Sequence, residues 1–277
     1  MNDFLRENLS YFSLYKKMFA AKKTITPEYV SFGKNKEQYF LYYEPENICS
    51  NKIVLWIHGG GWNAGSPDFF DFAGQAIAAM GYRFISLGYR LSPKFKYPCQ
   101  IEDVVLGYKS AVKMLEEKGI DTSKIVVSGP SAGAHLASIL VYSASLHEKT
   151  NLNLDGVIGF IGVGGPYSFT AKNSLSLKLL LNQLFPKNYN RTLGEPCSLI
   201  EKSSIPMLLI QSEHDGLIDF SCAERFYAEA QKSGISCELY RVEDRKNTHS
   251  WYTAGMFLET REENKTLDKF ISWIENL

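Results

Sequence analysis

Several features are missing from this 277-residue chain, and each omission removes a class of protein. There is no excess of charge, with 30 Lys+Arg against 30 Asp+Glu. A neutral chain gives no electrostatic footing for nucleic acid or for an anionic membrane. No apolar run reaches the roughly 18 residues of a membrane span, so none is expected. Cysteine is sparse and scattered: Cys49, Cys99, Cys197, Cys222 and Cys237, with no Cys-Xaa-Xaa-Cys pair. An odd number cannot all pair, and reduced thiols are the reading rather than a disulfide framework or zinc site. The opening stretch MNDFLRENLSYFSLYKKMFAAKK carries early acids and no basic lead-in, unlike a secretory signal. Together with reduced thiols this sets the expectation of a cytoplasmic protein. Asn8, Asn190 and Asn264 begin Asn-Xaa-Ser/Thr triplets, which matter only in a secreted chain. No internal repeat or low-complexity tract is visible.

What is present is an alternation. Short apolar runs read as strands at 53–57, 83–87, 124–129, 156–163, 206–212 and 236–242, with IVLWI (53–57) unbroken and so fully buried. Between them lie helical periods near 68–80, over 97–118, after Ser131, and over 220–234, with a last helix closing the chain. Repeated strand–helix units predict one α/β domain over 1–277, with a mostly parallel sheet flanked by helices. Ligands of such sheets gather at the carboxyl ends of the strands. Phe4, Tyr11, Phe12, Tyr15, Met18 and Phe19 are expected on one apolar helical face, making residues 1–30 a helical segment packed on the body. Residues 166–204 interrupt the alternation with Pro166, Pro186, Pro196 and a short apolar piece, LLLNQLF. That is too long for an ordinary loop, and a small helical cap over the sheet edge is expected.

Ser131 sits in VSGPSAGAH, where a buried strand stops and a helix begins. A strand-to-helix turn this tight needs Gly129 and Gly133 to relieve crowding, and it lifts the hydroxyl above the sheet. The Ala132 amide at the helix start points to the same place. HGGGW (58–62) follows the first buried strand. Three consecutive glycines allow close backbone approach, so Gly60 and Gly61 join Ala132 as expected donors to an oxyanion. His58 is read as a pin for that loop.

A serine needs a base, and the base needs an orienting acid. SEHDGLID (212–219) and NTHSWY (247–252) both follow strands, which puts Asp215 and His249 at the carboxyl edge. The order Ser131, Asp215, His249 matches the triads of this strand–turn–helix arrangement. Asp219 is the rival acid, with helix capping as its other role. His135 is expected to pack in the helix after Ser131, His147 to close that helix, and His214 to face away from the acid. Trp62, Tyr89, Tyr167 and Phe169 are candidate pocket walls.

HGGGW, YRLSP (89–93), IED (101–103), GPSAGAHLA, HDG and HSW, in that order, resemble the α/β-hydrolase family. Within it they are similar to carboxylesterases of the hormone-sensitive-lipase type. The resemblance implies a serine hydrolase that cleaves small or short-acyl carboxylic esters through an acyl-enzyme, with no cofactor and no metal. Pro130 and Ala134 depart from the common form of the serine turn, and SAGAHLA is closer to arylformamidases and to polysaccharide deacetylases and feruloyl esterases. An arylformamidase, or a sugar or xylan acetyl or feruloyl esterase, is therefore the alternative. The expected partner is a small-molecule ester or amide. The oligomeric state is left open, a homodimer included.

Overall fold

The computed structural model describes residues 2–277. Among these residues eight strands form one sheet: β1 (Glu28–Ser31), β2 (Tyr39–Tyr43), β3 (Ile53–Ile57), β4 (Arg83–Leu87), β5 (Ile125–Pro130), β6 (Val157–Val163), β7 (Met207–Ser212) and β8 (Cys237–Val242). Their order is β1-β2-β4-β3-β5-β6-β7-β8. The pairs β1–β2 and β2–β4 are antiparallel, and every later pair is parallel. The chain has the α/β-hydrolase fold. Six of the eight strands fall on the expected runs, whereas β1 and β2, before residue 53, were not foreseen.

Among the described residues ten α-helices accompany the sheet: α1 (Asp3–Ala20), α2 (Asp71–Ala79), α3 (Cys99–Glu117), α4 (Ala132–Tyr142), α5 (Ala144–Thr150), α6 (Leu175–Leu184), α7 (Pro196–Leu199), α8 (Ser221–Lys232), α9 (His249–Thr253) and α10 (Lys265–Glu275). The strand period of two sorts the core. Ile53, Leu55, Ile57, Ile125 and Val127 point to the face covered by α3, α4 and α8, with Val104, Leu115, Leu136 and Phe226. Val54, Trp56 and Val126 point to the face covered by α2 and α10, with Ile77, Phe270 and Ile274. The central strands β3 to β7 are covered on both faces and carry no polar alternation, whereas the edge strand β8 is partly exposed. YRLSP and IED meet here: Arg90 Nε and Nη2 donate to the Asp103 carboxylate at 2.8 Å each, tying the loop after β4 to α3.

Two segments lie outside the strand–helix alternation. Helix α1 stops at Ala20, and residues 28–31 begin the sheet. Its inward face is not the aromatic one, because Glu7 and Leu14 are buried while Phe12 and Phe19 are 81% and 87% exposed. Residues 166–204 hold α6, a 3-10 turn over Arg191–Gly194, and α7, with Leu177, Leu181, Leu184 and Phe185 buried.

Candidate active site

Ser131 lies between the last residue of β5 and the first of α4, at φ 51° and ψ −119°. A side chain rarely adopts this backbone, and such strain persists only where the surroundings enforce it. Two bonds pin the turn: the Ser131 amide donates to Val163 O at 2.8 Å, and the His135 amide donates to Ser131 O at 3.1 Å. The glycines are steric necessities. A Cβ on Gly129 would lie 2.6 Å from Ile57 O, and one on Gly133 would lie 1.9 Å from the same oxygen. Ala132, first in α4, belongs to a turn whose amides have no intrahelical acceptor.

The loop after β3 turns with positive φ at Gly60 (115°), Gly61 (59°) and even Trp62 (60°). Asn63 and Ala64 donate their amides to Gly60 O at 3.2 and 2.9 Å, which closes the turn. His58 Nδ1 stands 2.7 Å from Gly59 O, and its ring stacks on Tyr89 at 4.2 Å. Burial pushes the His58 imidazole down to about 4, so it is neutral at pH 7 and donates from Nδ1. It pins the loop and is not available as a base.

His249 opens α9, directly after the loop that leaves β8. Its Nδ1 is 2.7 Å from Asp215 Oδ2. The bond to a carboxylate puts the proton on Nδ1 and leaves Nε2 with its lone pair. Burial alone would lower the His249 pKa, but the Asp215 charge and hydrogen bond, with a further contribution from Glu7, outweigh it and raise it above 6.5. Asp215 is fixed from all sides. Oδ2 also accepts from Tyr252 Oη at 2.6 Å and Gln211 Nε2 at 3.2 Å, while Oδ1 accepts from the amides of Leu217 and Ile218, each at 2.8 Å. Asp219 accepts instead from Ser221 at the start of α8, the capping role.

Ser131, Ala132, Gly60, Gly61 and His249 line one cavity of about 420 Å³ above the carboxyl ends of β3 and β5. Helix α1 contributes Tyr11, Leu14 and Tyr15 to it, and α6 contributes Ser176, Leu177 and Leu180. No Asp, Glu, Lys or Arg is in its wall. Trp62 lines the cavity as expected of a wall. Tyr89, Tyr167 and Phe169 do not, which corrects that reading. Tyr89 is buried beneath His58 and donates to its carbonyl at 3.0 Å. Tyr167 stacks on Phe226 at 4.6 Å, and Phe169 packs on His135 at 5.7 Å. Tyr89 and Tyr167 lie inside the core, and the partly buried Phe169 packs against it.

The remaining histidines are structural. His135 is buried, accepts from Trp62 Nε1 at 3.2 Å and holds Gly194 O at 2.7 Å through Nε2. It thereby links the glycine loop to the 166–204 segment. His214 lies 3.7 Å from Asp3 of α1. His147 falls on α5 rather than at the end of α4, because the helix breaks at Ser143. Tyr252, Gln211 and Glu7 escaped the sequence reading. Tyr252 had a signal, standing three residues after His249 on a helical turn.

The model of the BD-FAE family matches residues 41–229. The chain belongs to the BD-FAE family. This BD-FAE member is 34% identical over 238 residues to the ethyl acetate hydrolase of Pseudomonas putida, covering 80% of this chain and 74% of that one. The FAD-linked oxidoreductase pytB of Aspergillus terreus shares 36% identity over 113 residues, 39% of this chain but only 13% of that much longer protein. A crystal structure of a hormone-sensitive lipase from a metagenome library superposes with a TM-score of 0.73 at 18% identity, over 95% of this chain and 91% of that one. That superposition shows that the BD-FAE member shares the α/β-hydrolase fold. Among its described residues no helix is long and apolar enough to cross a membrane.

Proposed function

We propose that this protein is a serine carboxylesterase in which Ser131 is the nucleophile, His249 the general base and acid, and Asp215 the orienting carboxylate. The observation that carries the assignment is the 2.7 Å contact of His249 Nδ1 with a fully buried Asp215, on the same cavity as the strained Ser131. Ser131 Oγ attacks the ester carbonyl as its proton passes to His249 Nε2. Gly60, Gly61 and Ala132 amides receive the oxyanion, each such donor contributing about 2.7–4 kcal/mol in the transition state. The tetrahedral adduct collapses, His249 protonates the departing alkoxide, and an acyl-serine remains. Water then attacks, gives its proton to His249, and the acid leaves as Ser131 regains its hydrogen.

A cavity wall without a full charge suits a neutral ester with apolar substituents, since no side chain there would pair with a charged substrate. Residues 166–204 act as a cap, with α6 setting one side of the substrate space. Five free thiols accord with a reducing compartment, and we assign the protein to the cytoplasm. The test is turnover of p-nitrophenyl esters of graded acyl length against an aryl formamide. Ester turnover should dominate and should fall on the order of 10⁴-fold or more in Ser131→Ala. Formamide turnover above ester turnover would move the enzyme to the amidases. A Ser131→Ala enzyme keeping a tenth of its activity would refute the nucleophile.

A further inference from the structure

Helix α1 does not dock by apolar packing alone, although Leu14 is buried. It leaves Phe12 and Phe19 in solvent and hides a carboxylate, with Glu7 0% exposed. Burying an acid is costly unless something compensates. The compensation lies on the histidine turn. Glu7 Oε1 accepts from the Ser250 amide at 3.0 Å, and Ser10 Oγ lies 2.9 Å from Thr248 Oγ1 and 3.1 Å from Ser250 Oγ. Thr248 and Ser250 flank His249. Thr248 occupies the N-cap of α9, yet its side chain makes no capping bond. Glu7, 243 residues away in the chain, supplies the missing acceptor to the second amide of that helix. Its other oxygen, Oε2, is buried without a hydrogen-bond partner.

We propose that Glu7 is a positioning residue for His249: α1 caps the histidine turn from outside and holds a negative charge beside the imidazolium that forms in turnover. The inference rests on His249 being the base, as argued above. Two acids then bond to the histidine turn. Asp215, itself bonded to Tyr252, contacts the imidazole from the β7–α8 loop. Glu7 bonds the neighbouring Ser250 amide from α1, with Tyr11 of the same helix on the cavity wall. At the start of α1, Asp3 pairs with Arg6 at 3.1 Å and lies 3.7 Å from His214. Burial opposes protonation of His249, and Asp215 and then Glu7 favour it.

The experiment is the pH dependence of kcat and KM for a short neutral p-nitrophenyl ester, measured on the full chain and on Glu7→Gln. Glutamine keeps the acceptor for Ser250 and removes the charge. The acid limb of kcat/KM should move to lower pH, and plateau kcat should fall on the order of tenfold with KM little changed. A merely structural Glu7 would change thermal stability and leave the limb in place. An unmoved limb overturns the proposal, whatever the stability. Should Glu7→Gln not fold, Glu7→Asp replaces it by drawing the charge back one methylene. A limb shifted down with reduced kcat supports the role, and a wild-type profile overturns it. Ser131→Ala runs alongside. If it matches the wild type, the esterase assignment falls. If it is inactive and Glu7→Gln keeps the wild-type profile, only the Glu7 proposal falls.

Discussion

Tyr252→Phe isolates the orientation of the acid from every other feature of the site. The Tyr252 hydroxyl is buried and donates to Asp215 Oδ2 at 2.6 Å, the same oxygen that holds His249 Nδ1 at 2.7 Å. Burial, then the neighbouring carboxylate, raises the tyrosine pKa well above its usual value, so the hydroxyl keeps its proton and stays a donor. Removing it deletes one hydrogen bond to a charged, buried group. Such a bond contributes about 1.5–3 kcal/mol, and the ring itself stays to fill the space. For a domain of this size, a loss of 2 kcal/mol lowers the melting midpoint by roughly 4–8 °C. The electrostatic consequence has a definite sign. With one donor gone, the charge on Asp215 is less neutralised and holds the protonated imidazole more strongly. The His249 pKa rises further, and the acid limb of kcat/KM moves to higher pH, opposite to Glu7→Gln. Thermal unfolding and a pH–rate profile on one p-nitrophenyl ester read both effects. A limb that stays put or moves to lower pH would refute the hydrogen-bonded relay from Tyr252 through Asp215 to His249.

The buried pair His58 and His135 sets the acid stability of the fold. Both are pushed by burial from 6.5 to about 4, so the unfolded chain takes up their protons first. Stability is complete above pH 6.5 and is lost as pH falls from 6.5 toward 4, by up to about 3 kcal/mol for each histidine. His249, with its raised pKa, works in the opposite direction over higher pH. Denaturation by urea at pH 7.5 and 5.0 should show a lower midpoint at pH 5.0, and equal midpoints would contradict the neutral, buried state of the pair. Ser131→Ala should keep its circular-dichroism spectrum, because Gly129 and Gly133 carry the sterics of the turn rather than the hydroxyl.

Much of this was legible in the residue order. Short apolar runs located β3 to β7, because a strand buried on both faces has no alternative composition, while β8 is a partly exposed edge. Ser131, Asp215 and His249 stand out in the sequence because each follows a strand and so reaches the carboxyl edge. Strand β2 does not, since Tyr39–Tyr43 is aromatic, short and antiparallel, and its pairing with β4 lies more than 40 residues ahead in register. Strand β1 is a four-residue, mostly exposed edge whose pattern says little. Aromatic content alone does not tell a cavity wall from the core: Trp62 borders the cavity, whereas Tyr89, Tyr167 and Phe169 lie away from it. Helix α1 misled for a physical reason. Its aromatic stripe suggested the docking face, but polar bonds from Glu7 and Ser10 to the far end of the chain set its rotation. No local pattern encodes a contact of that span.

The most direct test of the site is covalent. Treatment with a fluorophosphonate at neutral pH, followed by peptide mapping, should find one adduct, on the hydroxyl of Ser131, and labelling should slow sharply in His249→Ala. An untouched Ser131 in folded protein, or labelling at equal rate without the imidazole, would contradict the serine–histidine–aspartate assignment.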